Sequence, residues 1–150
     1  MTVSPDAKWL VTGSDDHTAR LWNLATGKLE RVFHGHSERV TWVDLTGGGK
    51  RLATASNDET IRIWNVETGK ELCQLVSFDD GGWAVLDSAG RFDAANQGDV
   101  QGLHWVIGNE TFPLARFRNH FYEPGLLAKH MGLSQEPLRA VGKLPTAVRE

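Results

Sequence analysis

Cysteine is nearly absent from the sequence. Cys73 is the only one, so no internal disulfide can form, as is usual in a reducing compartment. Apolar runs are only a few residues long, which excludes a membrane-spanning helix. The opening MTVSPDAKWL lacks the basic start and apolar core of a signal peptide, so we expect a cytoplasmic protein that binds no membrane. With a net charge of -3 there is no basic field, and nucleic acid is not an expected partner.

The chain does contain an internal repeat. The segment TGSDDHTARLWN (12–23) has a near copy, TASNDETIRIWN (54–65), in which seven of twelve positions match at an offset of 42 residues. Short alternating stretches are separated by polar turns, and TGK closes each copy, which is typical of antiparallel strands. A repeat of this length with about four strands is the pattern of a propeller blade. The sequence therefore predicts an all-β fold with two such blades over residues 1–78.

These residues resemble a known family. Gly35-His36 followed by RLATASNDETIRIWN is similar to a WD40 repeat, with Asn65 where the family more often has aspartate. The resemblance implies WD40-type β-propeller blades, each with a buried hydrogen-bonded chain of histidine, serine or threonine, aspartate and tryptophan. The matching residues are His36, Thr54, Asp58 and Trp64, and in the first copy Thr12, Asp16 and Trp22. The first copy's histidine would lie before Met1, so we expect that blade to lack its opening piece.

The same residues permit a catalytic interpretation. A His–Asp pair beside a threonine can serve nucleophilic catalysis, but here these residues recur in a fold-specifying pattern in which every polar group finds a partner. Cys73 lies in a strand-like segment without the context of a nucleophile. A divalent metal site is a further alternative, although no ligand motif matches the spacing of Asp79, Asp80, Asp87, Asp93, Asp99 and His104. We predict no catalytic residue, no metal and no cofactor.

Residues 79–109 carry weaker traces of the repeat. At an offset of 41 residues Trp105 aligns with Trp64, whereas Ser77 and Ala95 stand where the histidine and threonine would be. The stretches GWAVLD, GRFDAA and LHWVIG are typical of strands. We predict a degenerate third blade here.

The remaining residues change character. Leu114, Phe117 and Phe121 fall at helical spacing, which predicts a short helical cap over 110–132. Its amphipathic helix is expected to pack its aromatic face against the blades. Residues 133–150 are polar and punctuated by proline, which predicts an extended tail or linker.

The second half also resembles the segment that follows WD repeats in large bacterial WD-repeat proteins, many of which carry a caspase-like peptidase domain. The motifs GRFD (90–93) and FYEPGLLAK (121–129) carry that resemblance. No peptidase signature is present around Cys73, so the resemblance implies at most a separate or fused caspase-like effector as a partner.

Two blades and a degenerate third cannot close a propeller ring. The ring is completed by more chain, by further copies in a homo-oligomer, or else the stack is capped by its own helix. In each case the sequence favours a non-catalytic protein-interaction scaffold, with a regulatory segment acting on a caspase-like effector as the alternative. The resemblance places the partner-binding face at Asp15, Arg39, Thr41 and Asn57, where loops meet at one end of the blades.

Overall fold

The repeated segments form two neighbouring antiparallel sheets in the computed structural model, which describes residues 1–98, 100–107 and 109–142. The first sheet, blade 1, has the strand order β1-β2-β3-β4. Its strands are β1 Thr2–Val3, β2 Trp9–Gly13, β3 Ala19–Asn23 and β4 Leu29–Phe33. Buried Val11 and Leu21 alternate with more exposed neighbours, as expected for strands with one face in a core. The opening strand β1, expected to be incomplete, is two residues long.

The second sheet has six strands in the order β10-β9-β8-β7-β6-β5. The four strands between residues 40 and 77 form blade 2, and two more strands follow at one edge of the sheet. The bounds are β5 Val40–Thr46, β6 Arg51–Ser56, β7 Thr60–Asn65, β8 Glu71–Ser77, β9 Trp83–Leu86 and β10 Phe92–Ala94. The predicted all-β fold, with helices only in short segments, is confirmed.

The structure corrects the prediction of a third blade over residues 79–109. β9 pairs with β8, with Val85 opposite Leu75, so β9 and β10 extend blade 2. The tight turn that links Phe78 and Gly82 through backbone hydrogen bonds returns the chain directly beside β8, which leaves no crossing to a new sheet. β11 His104–Ile107 and β12 Glu110–Pro113 pair with each other in a separate hairpin.

The helical segments are all short. They are α1 Ala95–Gly98, a 3-10 turn Leu114–Phe117, α2 Arg118–Phe121 and α3 Leu126–Met131. The region predicted as a helical cap therefore opens with a strand, β12, and only then becomes helical. Over residues 133–142 the predicted tail has no helix or strand, but Leu138 and Val141 pack against the fold. The remainder of that prediction, residues 143–150, lies outside the described residues.

Three apolar cores hold these elements together. The first lies between the blades, where Val11, Leu21 and Phe33 of blade 1 meet Leu52 and Trp64 of blade 2. The second lies on the opposite face of blade 2, where α3 inserts its leucine among strand residues; its buried members are Ala53, Ile63, Cys73, Val85 and Leu126. The third joins β9 and β10 to the hairpin and α2, with Phe92, Phe117 and Phe121 buried beside Trp105. Each face of blade 2 is thus covered.

The α3 helix therefore covers the face of blade 2 that is turned away from blade 1. Leu126 is fully buried against blade 2, whereas the aromatic residues expected to pack on the blades belong to the third core. Within the described residues, every helix is too short or too polar to cross a lipid bilayer.

Candidate protein-interaction site

In blade 2 the predicted polar residues form one continuous buried chain. The His36 ring lies between Asp58, 2.8 Å from Nδ1, and Thr54, 2.7 Å from Nε2. The Trp64 indole N–H donates to the Thr54 hydroxyl at 2.9 Å. All groups are satisfied when the His36 proton is on Nδ1 and donates to Asp58, while the Thr54 hydroxyl donates to Nε2. The arrangement positions no nucleophile toward solvent, because Thr54 is fully buried.

In blade 1 the corresponding residues form two separate pieces. The Trp22 indole N–H donates to the Thr12 hydroxyl at 3.0 Å. Asp16 accepts from the hydroxyl of Thr18 at 2.6 Å and pairs with Arg20. Those two bonds lower the pKa of Asp16, the Thr18 hydroxyl contributing most. Thr12 and Asp16 are thus not joined, since no histidine hydrogen-bonds to either of them within residues 1–98, 100–107 and 109–142.

Asp58 is held in its charged form by the bonds that surround it. Burial alone raises its pKa, but hydrogen bonds from the Thr60 hydroxyl, the His36 ring and the Ser37 backbone N–H outweigh burial. The pKa of Asp58 is consequently lowered from 3.8 to about 2. A carboxylate whose pKa is lower in the folded chain stabilises the fold above its unfolded pKa.

We expect this stabilisation to be lost in acid. It is fully present above about pH 5 and disappears as the pH falls through about 2, where folded Asp58 takes up its proton. Urea unfolding of the native chain and of Asp58→Asn, followed by tryptophan fluorescence from neutral pH downward, measures it. The difference in free energy of unfolding between the two proteins should be constant near neutrality and shrink in acid. A difference that stays constant throughout would contradict the assigned role.

The four residues predicted as a partner-binding face are all exposed and lie around one end of the two blades. Asn57 and Arg39 are adjacent, since the Asn57 N–H donates to the Arg39 carbonyl at 3.1 Å. The Val40 N–H donates to the carbonyl of Ser14, next to Asp15, at 3.0 Å. The blades' loops are thereby joined, and we call Asp15, Arg39, Thr41 and Asn57 the rim surface.

A half-exposed tryptophan lies beside the rim surface. β5 carries a bulge between Val40 and Trp42, which interrupts the alternation so that Val40 and Val43 are buried while Thr41 and Trp42 are both exposed. The Trp42 side chain is left 51% exposed. The sequence alone does not predict this bulge, because VTWVDL also fits an unbroken strand with Trp42 in the core.

The motifs GRFD and FYEPGLLAK, to which the sequence assigns no role, contact each other. The Glu123 N–H donates to the Phe92 carbonyl at 2.8 Å, and the Gly125 N–H donates to the Asp93 carboxylate at 2.7 Å. The Glu123 carboxylate pairs with Lys129 while both are almost completely buried. These contacts fix the start of α3 against β10. The two motifs therefore position α3. The sequence does not show this role, because the motifs are far apart along the chain and meet only in the folded structure.

The other chemically interesting residues have structural partners. Burial raises the pKa of the Cys73 thiol to about 12, with a further increase from the charges of Asp87 and Glu71, so the reactive thiolate does not form near neutral pH. Asp87 pairs with Arg91 and lies 3.1 Å from His130.

The described acidic residues between positions 79 and 98 do not gather around a metal position. Asp80 accepts from its own turn at Gly82, and it borders a polar cavity of about 460 Å³. In the part of the chain that the structure describes, no three histidine, cysteine, aspartate or glutamate residues lie close enough together to hold a metal ion. Asp99 lies outside the described residues.

Comparison with known proteins identifies the repeats. The family model "WD domain, G-beta repeat" matches residues 1–23 and 27–65. WD repeat-containing protein 86 of Homo sapiens is 44% identical over 45 residues, which are 30% of this chain and 12% of that protein. Pre-mRNA-splicing factor PRP46 of Saccharomyces cerevisiae is 52% identical over 31 residues, 21% of this chain and 7% of that protein. Ribosome biogenesis protein bop1-A of Xenopus laevis is 39% identical over 44 residues, 28% of this chain and 6% of that protein.

A solved structure described as RRP9 WD40 repeats superposes with a TM-score of 0.45 and 20% identity, and it covers 55% of this chain and 31% of the other. The chain spans only about an eighth or less of the length of the curated relatives given above. The family model begins and ends within the two blades. The two amino-terminal blades of this chain are thus similar to WD40 repeats, since the family model matches residues within them.

Proposed function

We propose that the chain is a non-catalytic protein-interaction module whose contact surface is the rim surface together with Trp42. The observation that carries the proposal is the half-exposed indole of Trp42, which the β5 bulge holds outward beside Arg39 and Thr41. Tryptophan and arginine are the residue types that contribute most binding energy at protein interfaces. An exposed indole on a rigid strand loses little conformational freedom when a partner covers it.

The surroundings of Trp42 suit a protein partner. Asp15, Arg39, Thr41 and Asn57 are exposed polar residues of mixed charge, which matches the polar rim that surrounds the apolar centre of an interface. The blades supply a rigid base, because Val43 and Val40 anchor β5 in the core between them. Relatives named as a splicing factor and a ribosome biogenesis protein support a role in protein assemblies.

The predictions about origin, effector, cellular location and oligomeric state stay predictions. The relatives named above are eukaryotic and lend no support to a bacterial origin or to a caspase-like effector. The cytoplasmic location and the homo-oligomer remain proposals as well. None of them is needed for the rim surface to act as a contact site.

The test is site-specific photo-crosslinking followed by measured binding. A photo-reactive residue at Arg39 or Asn57 should capture a protein that is not captured from Leu133, which is 79% exposed but lies beyond α3. Binding of the captured protein to the purified chain is then measured by calorimetry. We expect Trp42→Ala to weaken that binding by more than about tenfold, because the indole is the only large apolar group among these residues.

Trp83→Ala is the matched control. Its indole is 39% exposed on β9, on a different part of the second sheet, so its loss should leave the affinity unchanged. Circular dichroism and urea unfolding of both variants check that each remains folded. An affinity that is insensitive to Trp42→Ala, or equally sensitive to Trp83→Ala, would exclude the rim surface as the contact site.

A further inference from the structure

The turns at the end of the blades opposite the rim surface carry a cluster of lysines. All lysines of residues 1–78 lie in these turns and are exposed, namely Lys8, Lys28, Lys50 and Lys70. Backbone hydrogen bonds join neighbouring turns within each blade, since the Leu24 N–H donates to the Lys8 carbonyl at 2.9 Å and the Val66 N–H donates to the Lys50 carbonyl at 3.1 Å. We call these four residues the lysine surface.

The other end of the same strands is acidic. The loops around the rim surface carry exposed carboxylates, which belong to Asp15, Glu38, Glu59, Asp79 and Asp80. The blades are therefore polarised, with basic turns at one end and acidic loops at the other, although the whole chain has a net charge of -3. At the basic end Asp6 pairs with Lys8 at 3.4 Å, but both side chains are well exposed, so the pair contributes little and is readily exchanged.

A cavity of about 290 Å³ lies between the blades at the basic end. Its apolar wall is formed by three residues, Trp9, Leu21 and Val66. Lys8 directly precedes Trp9 in the chain, and Lys50 directly follows Gly49, which also lines the cavity. An apolar recess large enough for one side chain thus lies beside two exposed ammonium groups, one from each blade.

Arg31 of β4 holds the cavity in shape. Its guanidinium Nη2 donates to the Glu67 carbonyl of blade 2 at 2.8 Å. The backbone of Gly69 lies directly on the arginine stem, because a Cβ at that position would be 2.9 Å from Arg31 Cδ. The distance between the two walls is therefore fixed before any partner arrives, which reduces the conformational freedom lost on binding.

Two carboxylates restrict what can enter the cavity. Glu30 and Glu67 are exposed residues that line it, so they repel an acidic group placed inside. Lys8 and Lys50 instead attract acidic groups at its margin. The matching ligand has an apolar side chain at its centre and carboxylates on either side. A nucleic acid or an anionic lipid surface presents its phosphates without such an interruption and matches this pattern less well.

We propose that the lysine surface and this cavity bind an acidic segment of a partner protein, with one apolar side chain of the segment in the cavity and its carboxylates against Lys8 and Lys50. The site is independent of the rim surface, since the two lie at opposite ends of the strands. The two blades contribute one wall and one lysine each, so the site exists only where they meet.

The experiment selects a display library of short random peptides on the purified full chain. The same selection is made on a double variant, Lys8→Gln with Lys50→Gln. The matched control is Gln135→Glu with Asn109→Asp, which changes the net charge by the same amount at two exposed positions outside the blades. Fluorescence anisotropy then measures the affinity of selected peptides for all three proteins, and urea unfolding checks that each variant is folded.

We expect the peptides enriched on the native chain to carry aspartate or glutamate on both sides of a leucine, isoleucine or phenylalanine. Their affinity should fall about tenfold in the double lysine variant, and also when serine replaces the apolar residue of the peptide, but should be unchanged in the control. Enrichment without an acidic bias, or equal binding by the native chain and the double lysine variant, overturns the proposal.

A further outcome separates the protein partner from a general polyanion. Acidic peptides whose affinity does not depend on the apolar residue would show a purely electrostatic surface. The same conclusion would follow if a short oligonucleotide or phosphatidylserine vesicles bound more tightly than the peptides with the same dependence on Lys8 and Lys50. Either result overturns the proposal.

Discussion

Replacement of Thr54 by valine is expected to lower the free energy of unfolding by about 3 kcal/mol, although the two side chains have almost the same shape. The Thr54 hydroxyl is fully buried and contacts both the His36 ring and the Trp64 indole. Valine leaves a ring nitrogen and an N–H group without partners where water cannot replace them, and each such group costs about 1–3 kcal/mol. Urea unfolding monitored by tryptophan fluorescence measures the loss.

The chain provides its own control for this prediction. Thr12→Val makes the same chemical change at the repeat-equivalent position, but Thr12 is half-buried and bonds only to Trp22. Its cost should stay below about 1 kcal/mol, because water can reach the freed indole N–H. Thr54→Ser, which keeps the hydroxyl, should recover most of the lost stability. Equal costs for the two valine variants would show that the buried chain contributes nothing beyond local packing.

Truncation of the cap should have an effect of similar size. Leu126→Ala removes a side chain that is fully buried among Ala53, Ile63 and Val85, and the expected cost is about 3 kcal/mol from lost burial and the cavity that remains. Because α3 is the element that covers this face of blade 2, the variant should also bind an apolar dye such as ANS under native conditions. Urea unfolding and dye fluorescence test the two parts separately.

Leu133→Ala is the comparison for the cap. Leu133 follows α3 closely but is 79% exposed, so its truncation should change the free energy of unfolding by less than about 0.5 kcal/mol. Dye binding by Leu133→Ala should equal that of the native chain. If Leu126→Ala is no more harmful than this control, α3 does not stabilise the blades.

The residues of the buried chain were predictable from the resemblance to WD40 repeats, and the repeat shows three of the four residues twice. Thr54, Asp58 and Trp64 recur at an offset of 42 residues as Thr12, Asp16 and Trp22, and spacing within a repeat is a local property of the sequence. The structure brings the second set together with His36 and leaves the first set in pieces. That outcome depends on the loop between the blades, which no pattern inside a blade contains.

The fate of residues 79–109 was not predictable from the same kind of signal. GWAVLD and GRFDAA read as strands, but strands give no indication of which neighbour they pair with. In the structure the turn at Phe78–Gly82 returns the chain beside β8, and a hydrogen bond from Gly125 to Asp93, 32 positions apart, holds β10 against α3. The β5 bulge that exposes Trp42 is similarly hidden, since one unpaired residue changes which side chains face solvent without changing the composition.

The α3 helix makes the two outward faces of the paired sheets unequal. A pair of blades without a covering helix has two outward sheet faces, and another element can pack on either of them. Here α3 closes one end, and the pairing of Glu123 with Lys129 and of Asp93 with the Gly125 backbone holds it closed. Exposure of that face requires α3 to be released first, with loss of the burial of Leu126. The two faces of blade 2 are therefore held differently, one by the facing sheet of blade 1 and the other by a short helix that two polar contacts fix in place.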